Sequence, residues 1–556
     1  MVMLHRNTRA ERGARVPRPS GAILAAAVTC ACGCSLIVDK NANQCSTDSD
    51  CAKYAGTICV DRACVVPSTG LPPQCSVHQD CVDLDGPGYF CRPSDRQCIA
   101  LLSPECTTLH GDYTNPGAIF IGSLLPTTGP NRSFGKPAEN SIGLALDDFT
   151  NSANGLPPVP GSSQRRPLVL VGCDDSTDPI AAAKHLTADL EVPAIIGAAF
   201  SGVTIKVATE VTIPAGTLLI SPSATSVALT SLQDNGLVWR TSPSDTLQAD
   251  ALSLVVPTVE ANVRSELGLG PGTTIKVAIA HKGDAYGKGL TDTLEQKLTF
   301  NGKPALQNAG SYMRRDYGDP DAGTARYETV IADILAFKPH ILLLFGTNES
   351  VSDMFGPIEA RWTGEGPAVS YQPRYLFSDG GLLQELSDLV GTNNDLRLRV
   401  RGTVPGTGNS LYNAFLGWYQ GAVTDGTSPD AFGTAGAYDA TYLIAYSIVS
   451  LGGQPLTGSS IAAGFGKLVP PGSPVSVGST NINDAFAKLS AGENIDFNGA
   501  SGPLDFDLST GEAPSDIQVW CLPRMPDGKA GPGTNSGQFY NAATGQLQGE
   551  PGAVCN

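Results

Sequence analysis

From Ala118 onward, short apolar runs alternate with stretches whose apolar positions recur every three or four residues. The first run, AIFIGSLLP, is followed by NSIGLALDDFTNSA, where Ile142, Leu146 and Phe149 share one helical face. PLVLVGCDD then precedes IAAAKHLTADL, VPAIIGAAF precedes TIKVATEVTIPA, and GTLLISPSAT closes the series. A second series opens at TIKVAIAHKG and passes through GLTDTLEQKLTFNG, YETVIADILAFKP, HILLLFGTN and PRYLFSDGG. A wholly apolar short run is how a strand covered on both faces reads, and a helix between two such strands makes the crossover of a parallel sheet. The pattern predicts an α/β protein with two doubly wound parallel-sheet lobes. Ligands of such sheets sit beyond the carboxyl ends of the strands, so the loops that follow the apolar runs are where chemistry is expected.

The first residues follow a different order. Arg6, Arg9, Arg12, Arg15 and Arg18 precede a short apolar run from Gly21 to Val28, then small residues with Cys30, Cys32 and Cys34. That is the order of a secretory signal, and the run is too short to remain as a membrane-spanning helix. The stretch Ala31-Cys32-Gly33-Cys34-Ser35 resembles a bacterial lipobox, although Ala31 stands where such boxes usually carry Leu. It implies a signal peptide over 1–33, a lipid on Cys34 (Cys32 being the alternative), and a tether over 34–43 that anchors the exported protein to a membrane or the cell surface.

Eight cysteines then crowd together. Cys45, Cys51, Cys59 and Cys64 form one set and Cys75, Cys81, Cys91 and Cys98 a second, and the wording repeats: QCSTDSDC…CVDRAC against QCSVHQDC…CRPSDRQC. In an exported chain, an even number of cysteines in a loop-rich segment with few large apolar residues points to disulfides in place of a core. The spacing does not give their connectivity within this module, 44–106, which is expected to act as a spacer or as a contact surface for partners. His78 is isolated and no Cys-x-x-Cys occurs, so neither a zinc site nor any other metal or cofactor is expected. Of the remaining cysteines, Cys521 with Cys555 would close a C-terminal hairpin, which leaves Cys106 for Cys173.

Composition narrows the partners. A formal net charge of -17 repels nucleic acid and anionic lipid, and 41% hydrophobic residues over 556 positions are enough to bury a core in more than one domain.

Seven segments carry a resemblance: GPNRSFG, VGCDDSTDP, IIGAAFSGVTIKVA, ISPSATSVALT, VWRTSPSDTLQA, AHKGDAYGKGL and AYDATYLIAYSI, in this order between Ala118 and Leu522. Together they resemble the leucine/isoleucine/valine-type substrate-binding proteins of ABC transporters, which have the type I periplasmic-binding fold. The resemblance implies one lobe from 117–243 with 403–514, a second from 244–402 with 515–556, and a hinge between them. It implies a clamp for an amino acid or a related small solute, delivered to an ABC permease. A sensor or surface-assembly lipoprotein that uses the same clamp, with the cysteine module for partner contacts, is the second expectation.

A zwitterion needs donors for its carboxylate, an anion for its ammonium and apolar walls for the rest. Ser201 lies in a glycine-containing turn ahead of a helix, and Ser223, Ala224 and Thr225 follow an apolar strand, places where free amides attract anions. By resemblance these hold the ligand carboxylate, Tyr286 closes over it from the second lobe, Asp379 pairs with the ammonium, and Phe134 stands at the mouth. Taken without the resemblance, Ser201 and Thr225 read as helix caps, Tyr286 as core and Asp379-Gly380 as a turn. Two positions depart from the family: Asn348 stands near a common aromatic position, and Phe200 replaces a cysteine.

The sequence does not read as an enzyme. Ser133-Phe-Gly-Lys136 has the spacing of serine acyl-enzymes without their companion motifs, and Gly287-Lys288 is followed by Gly289 where a phosphate loop requires Ser or Thr. His281 reads as a satisfied residue at a strand end.

Overall fold

The computed structural model of the protein describes residues 44–54, 57–60, 62–66, 72–406 and 408–555. The expected signal, its lipobox with Cys34, and the tether lie outside the described residues. The chain forms two compact units, the first ending at Val65.

The first unit contains the first cysteine repeat, in which Cys45 joins Cys59 and Cys51 joins Cys64 around a hairpin of Ile58–Val60 and Ala63–Val65. Gln44 clamps it: its N–H donates to Arg62 O at 2.7 Å and its Oε1 accepts from Cys64 N at 3.0 Å. The Asp50 carboxylate accepts from Ser46 N and Thr47 N.

The second unit opens with the second repeat, which is built the same way. Cys75 joins Cys91 and Cys81 joins Cys98, Gln74 binds Arg96 O and Cys98 N, and Asp80 accepts from Ser76 N and Val77 N. Arg62 and Arg96 both take a positive φ, 66° and 59°, so the repeat in the wording is also a repeat in backbone conformation. The sequence made both repeats a spacer or a contact surface for partners; the apolar residues of the second repeat are buried against the lobe that follows. The Phe90 ring lies 4.9 Å from Phe120, Gly88 N donates to Tyr113 Oη, and Leu101 O is 3.0 Å from His185 Nε2.

The main sheet of the first lobe has six strands: β1 (Cys106–His110), β2 (Ile119–Leu125), β3 (Leu168–Asp174), β4 (Ala194–Gly197), β5 (Leu218–Ser221) and β6 (Val238–Arg240), in the order β6-β5-β4-β2-β3-β1. All neighbours run parallel except β1, an antiparallel edge tied to β3 by the disulfide Cys106–Cys173. Among its helices, α1 (Arg132–Ala153) follows β2 and α2 (Ser201–Val207) follows β4.

After β6 the chain crosses to the second lobe through α3 (Asp245–Glu266). There β7 (Val277–His281), α4 (Ala285–Lys297), β8 (Tyr312–Asp316), α5 (Tyr327–Phe337), β9 (Ile341–Phe345), β10 (Arg374–Phe377) and β11 (Val400–Pro405) build a parallel sheet in the order β8-β7-β9-β10-β11. It returns after β11 to form α6 (Thr434–Ser450), buried along nearly its whole length against the first lobe, then crosses again before β12 (Ile517–Cys521). With β13 (Thr534–Asn541) and β14 (Gln546–Gln548), β12 extends the second sheet antiparallel, and Cys521–Cys555 fastens the end of the chain.

The crossings are held tightly. Gly406 has φ +72° and a Cβ there would stand 2.2 Å from Ser501 O, so only glycine passes at this point. Buried Asp439 of α6 accepts from Ala500 N at 2.9 Å and from Ser501 N at 2.7 Å, fixing the facing segment.

Candidate ligand cleft

A small cavity lies between the carboxyl ends of the two parallel sheets. From the first lobe come Phe134 of α1, Ala199, Phe200 and Ser201 after β4, Ser223 after β5, and Phe432 ahead of α6; from the second come Asp284 and Tyr286 at the start of α4, Thr347 after β9, and Asp379 with Gly380 after β10. Strand ends carry these residues because the sheet exposes its backbone there, where loops can place side chains without interrupting the ladder.

The clamp is shut. Ser226 Oγ donates to Ala285 O at 2.8 Å across the lobes, and Phe134 of the first lobe belongs to the same apolar cluster as Tyr317 and Phe377 of the second. The Phe134 and Phe200 rings meet edge to face at 5.4 Å, forming one wall. Ser201, Tyr286 and Asp379 retain 2%, 6% and 3% of their exposure, so a ligand enters only if the lobes part.

Five of the seven expected ligand contacts line the cavity: Phe134, Ser201, Ser223, Tyr286 and Asp379. Ala224 and Thr225 lie behind the wall, because the loop turns inward after Ser223. Arg240 and Ser242 donate to Ala224 O, and Asp245 N donates to Thr225 O. Neither Ser201 nor Thr225 caps a helix. Ser226 caps the short helix that follows, accepting from Ala228 N, and Ser201 Oγ accepts from Ser226 N, which ties the two first-lobe loops together. Buried Arg240 braces this loop through Ala224 O and Ser226 O and is ion-paired with Glu512.

On the facing lobe Asp379 is the hub. Its Oδ1 accepts from Tyr286 Oη at 2.6 Å and from Gln248 Nε2 at 2.6 Å, and its N–H donates to Gln248 Oε1 at 3.2 Å, which also accepts from Thr403. Burial pushes the Asp379 carboxyl up, against the hydrogen bonds from Tyr286 and Gln248 that favour its charge. Behind it Asp245 is also buried and raised, by burial and by the neighbouring Asp379. The Tyr286 phenol is raised by burial and by both carboxylates, so it acts as a donor. The turn reading of Asp379-Gly380 holds, since Asp379–Gly381 forms a single 3-10 turn with Leu382 N donating to Asp379 O at 3.0 Å, and the glycine also lets two strand-end loops touch, because a Cβ at Gly380 would stand 2.2 Å from Gly346 O.

Sequence reasoning missed Phe200, Asp284, Thr347 and Phe432. The substitution at Phe200 was visible, and it is this side chain that fills the wall. Asn348 points elsewhere, its Oδ1 accepting from Ser352, and its neighbour Thr347 lines the cavity. His281 is 1% exposed with Nδ1 2.8 Å from Lys282 O. Lys136 binds Glu139, away from any acyl-enzyme role.

Comparisons with known proteins agree with this architecture. The periplasmic binding protein family matches residues 118–357. The Leu/Ile/Val-binding protein BraC3 of Rhizobium johnstonii is 29% identical over 235 residues, 41% of this chain and 54% of the relative, so the chain spans about half the length of that curated relative. Among solved structures, the branched-chain amino acid transporter substrate-binding protein LivJ of Streptococcus pneumoniae, in complex with isoleucine, superposes with a TM-score of 0.51 at 17% identity, covering 75% of this chain and 99% of that one. A solute-binding protein of an ABC transporter from Rhodopseudomonas palustris, in complex with 3,4-dihydroxybenzoic acid, gives 0.52 at 14% identity over 77% and 98%. From Ala118 onward, therefore, this chain has the type I periplasmic-binding fold, similar to that of the leucine/isoleucine/valine-binding proteins, and it carries disulfide-rich repeats ahead of that fold.

Proposed function

We propose that the protein is an extracytoplasmic binding protein that clamps an amino acid, or a solute of related chemistry, for an ABC-type importer, and that it is not an enzyme. The observation that carries this reading is the division of labour across the cleft. The second lobe presents the buried carboxylate of Asp379, held by Tyr286 and Gln248, to an ammonium; the first presents the Ser201 and Ser223 loops to a carboxylate. Bridging both lobes is what turns binding into closure, and a closed form is what a permease can distinguish from an open one. The relatives named for Leu/Ile/Val binding support the amino-acid part of the reading, whereas the dihydroxybenzoate complex reminds us that the fold alone does not select the ligand. A lipid on Cys34 would hold the clamp at the membrane face where a permease works; the paired cysteines suit an oxidising, extracytoplasmic compartment.

Mass spectrometry of the native full chain, with thermal-shift assays against a panel of free amino acids, tests the proposal. An amino acid that copurifies, or that raises the melting temperature in proportion to the logarithm of its concentration, supports it. A panel without effect, together with an empty native mass, overturns it.

A further inference from the structure

Three residues of the second lobe, Lys282, Ala285 and Gly289, run from the end of β7 into α4 along the seam with the first lobe. Ala285 O accepts from Ser226 Oγ at 2.8 Å, and a Cβ at Gly289 would stand 3.3 Å from the same hydroxyl oxygen, so α4 rests closely on the Ser226 loop. Lys282 Nζ lies 5.8 Å from the centre of the Phe200 ring, within the range of a cation–π contact. Each of these contacts joins one lobe to the other and is broken when the lobes part.

Both partners of the Lys282–Phe200 contact are fixed within their own lobes. The Lys282 ammonium lies 2.7 Å from Asp321, 3.5 Å from Asp284 and 3.7 Å from Asp319, all of the second lobe. Burial disfavours its charge, but Asp284, Glu349 and Asp321 outweigh burial, so the side chain stays an ammonium inside the seam. Phe200 is held on the first lobe by the Phe134 ring, which meets it edge to face at 5.4 Å. Neither side chain has to be ordered again when the lobes meet, so little of their attraction is consumed before it favours closure. Lys282 is buried, and an ammonium held over a ring away from water is attracted more strongly than one at an exposed site.

We propose that Lys282 and Phe200 form a latch that holds the clamp shut with no ligand bound, so that the free protein divides between open and shut forms rather than resting open. Lys282 is a positioning residue: it does not line the cavity, and it acts on a ligand only through the lobes it brings together. Its loss weakens the binding of any solute that needs the shut form in proportion to the drop in the shut fraction, whatever that solute is.

The test is small-angle X-ray scattering of the full chain, dialysed free of ligand and shown to be empty by native mass spectrometry. In the wild type at least about half of the chains are expected to be shut. Lys282→Met keeps the length of the stem, and Phe200→Leu keeps an apolar wall. Each is expected to move the ratio of open to shut chains roughly tenfold toward open, and the double variant no further than either alone, since both substitutions remove one contact. Melting curves show whether the variants fold; should Lys282→Met fail to, Phe200→Leu carries the same reading. A wild type that scatters as the open form, single variants that scatter as the wild type does, or effects that add in the double variant overturn the latch and leave the solute clamp standing.

Discussion

Tyr286 Oη donates to Asp379 Oδ1 at 2.6 Å, and this one contact joins the start of α4 to the end of β10 inside the cleft. The tyrosine also lies 2.7 Å from Ser378 Oγ and accepts from Gly380 N at 3.3 Å, so three consecutive residues of that loop are fixed through one ring. Asp379 is thereby aimed before any ligand arrives, and less of the binding energy is consumed in ordering it.

Asp379→Asn keeps the shape and both neighbours but removes the counter-charge. For any ligand bearing a free amine, the expected loss is about 2–4 kcal/mol, roughly 30-fold or more in Kd. Thermal stability without ligand should hold or rise, because one of two adjacent buried acids is gone. Calorimetry with a bound amino acid, set beside melting curves, separates the two effects. Equal affinity in both proteins would remove Asp379 from the ammonium site.

Asp245 lies behind Asp379, Gln248 Nε2 donates to both carboxylates, and burial raises both, so the pair without ligand is expected to keep a proton that a dianion would not. A ligand ammonium stabilises the charged form of Asp379 and expels that proton. Binding should therefore strengthen as pH rises through the range in which the pair titrates and weaken on acidification, by at most about tenfold per pH unit for one proton. The observed enthalpy should depend on the ionisation heat of the buffer, with a slope that reports proton release. An enthalpy identical in phosphate and Tris would contradict it.

How much of this was legible in the sequence follows from burial. The strands β2, β3, β4, β5, β7, β9 and β10 are covered on both faces, so they read as the unbroken apolar runs that predicted two parallel sheets. The antiparallel additions were silent for the opposite reason. β13 alternates buried and exposed positions in a polar sequence, TNSGQFYN, and β1 is an edge strand. Ser201, Tyr286 and Asp379 were found because they occur in segments whose order resembles a known family. Asp284 was missed because an acid one residue before a helix reads as a cap, and it is one; only the fold shows that it also lines the cleft. Phe432 sits in a polar loop, SPDAFGTAG, where no periodicity marks it.

The Cys521–Cys555 bridge closes a loop of 34 residues around β13 and β14, an extension with few large buried side chains. Its cross-link restricts the unfolded tail, an effect of about 3–4 kcal/mol by chain entropy. In a Cys521→Ala/Cys555→Ala variant, amides of β13 and β14 should exchange with solvent markedly faster, while β9 and β10 at the centre of the sheet stay protected, since the edge opens separately from the core. Unchanged exchange across β13 would show that the ladder to β12 suffices without the bridge.

Asp175 gives a stability prediction that is independent of any ligand. It follows β3, retains 6% of its exposure, and its Oδ2 has no hydrogen bond among the described residues. Burial, with Asp174 and Asp321 nearby, pushes its carboxyl up to about 8. The sign follows from linkage: between the ordinary carboxylate range and about pH 8, the folded chain holds a proton that the unfolded chain has released, so this group's contribution to stability falls as pH rises through that window. Asp175→Asn removes the cost while keeping the shape. At pH 8 the variant should be more stable by about 1–3 kcal/mol, and near pH 4 the difference should vanish. Denaturant unfolding of the two proteins at both pH values decides it: a gap of equal size at pH 4 and pH 8 would mean that the effect of the substitution is steric and that Asp175 does not titrate with folding.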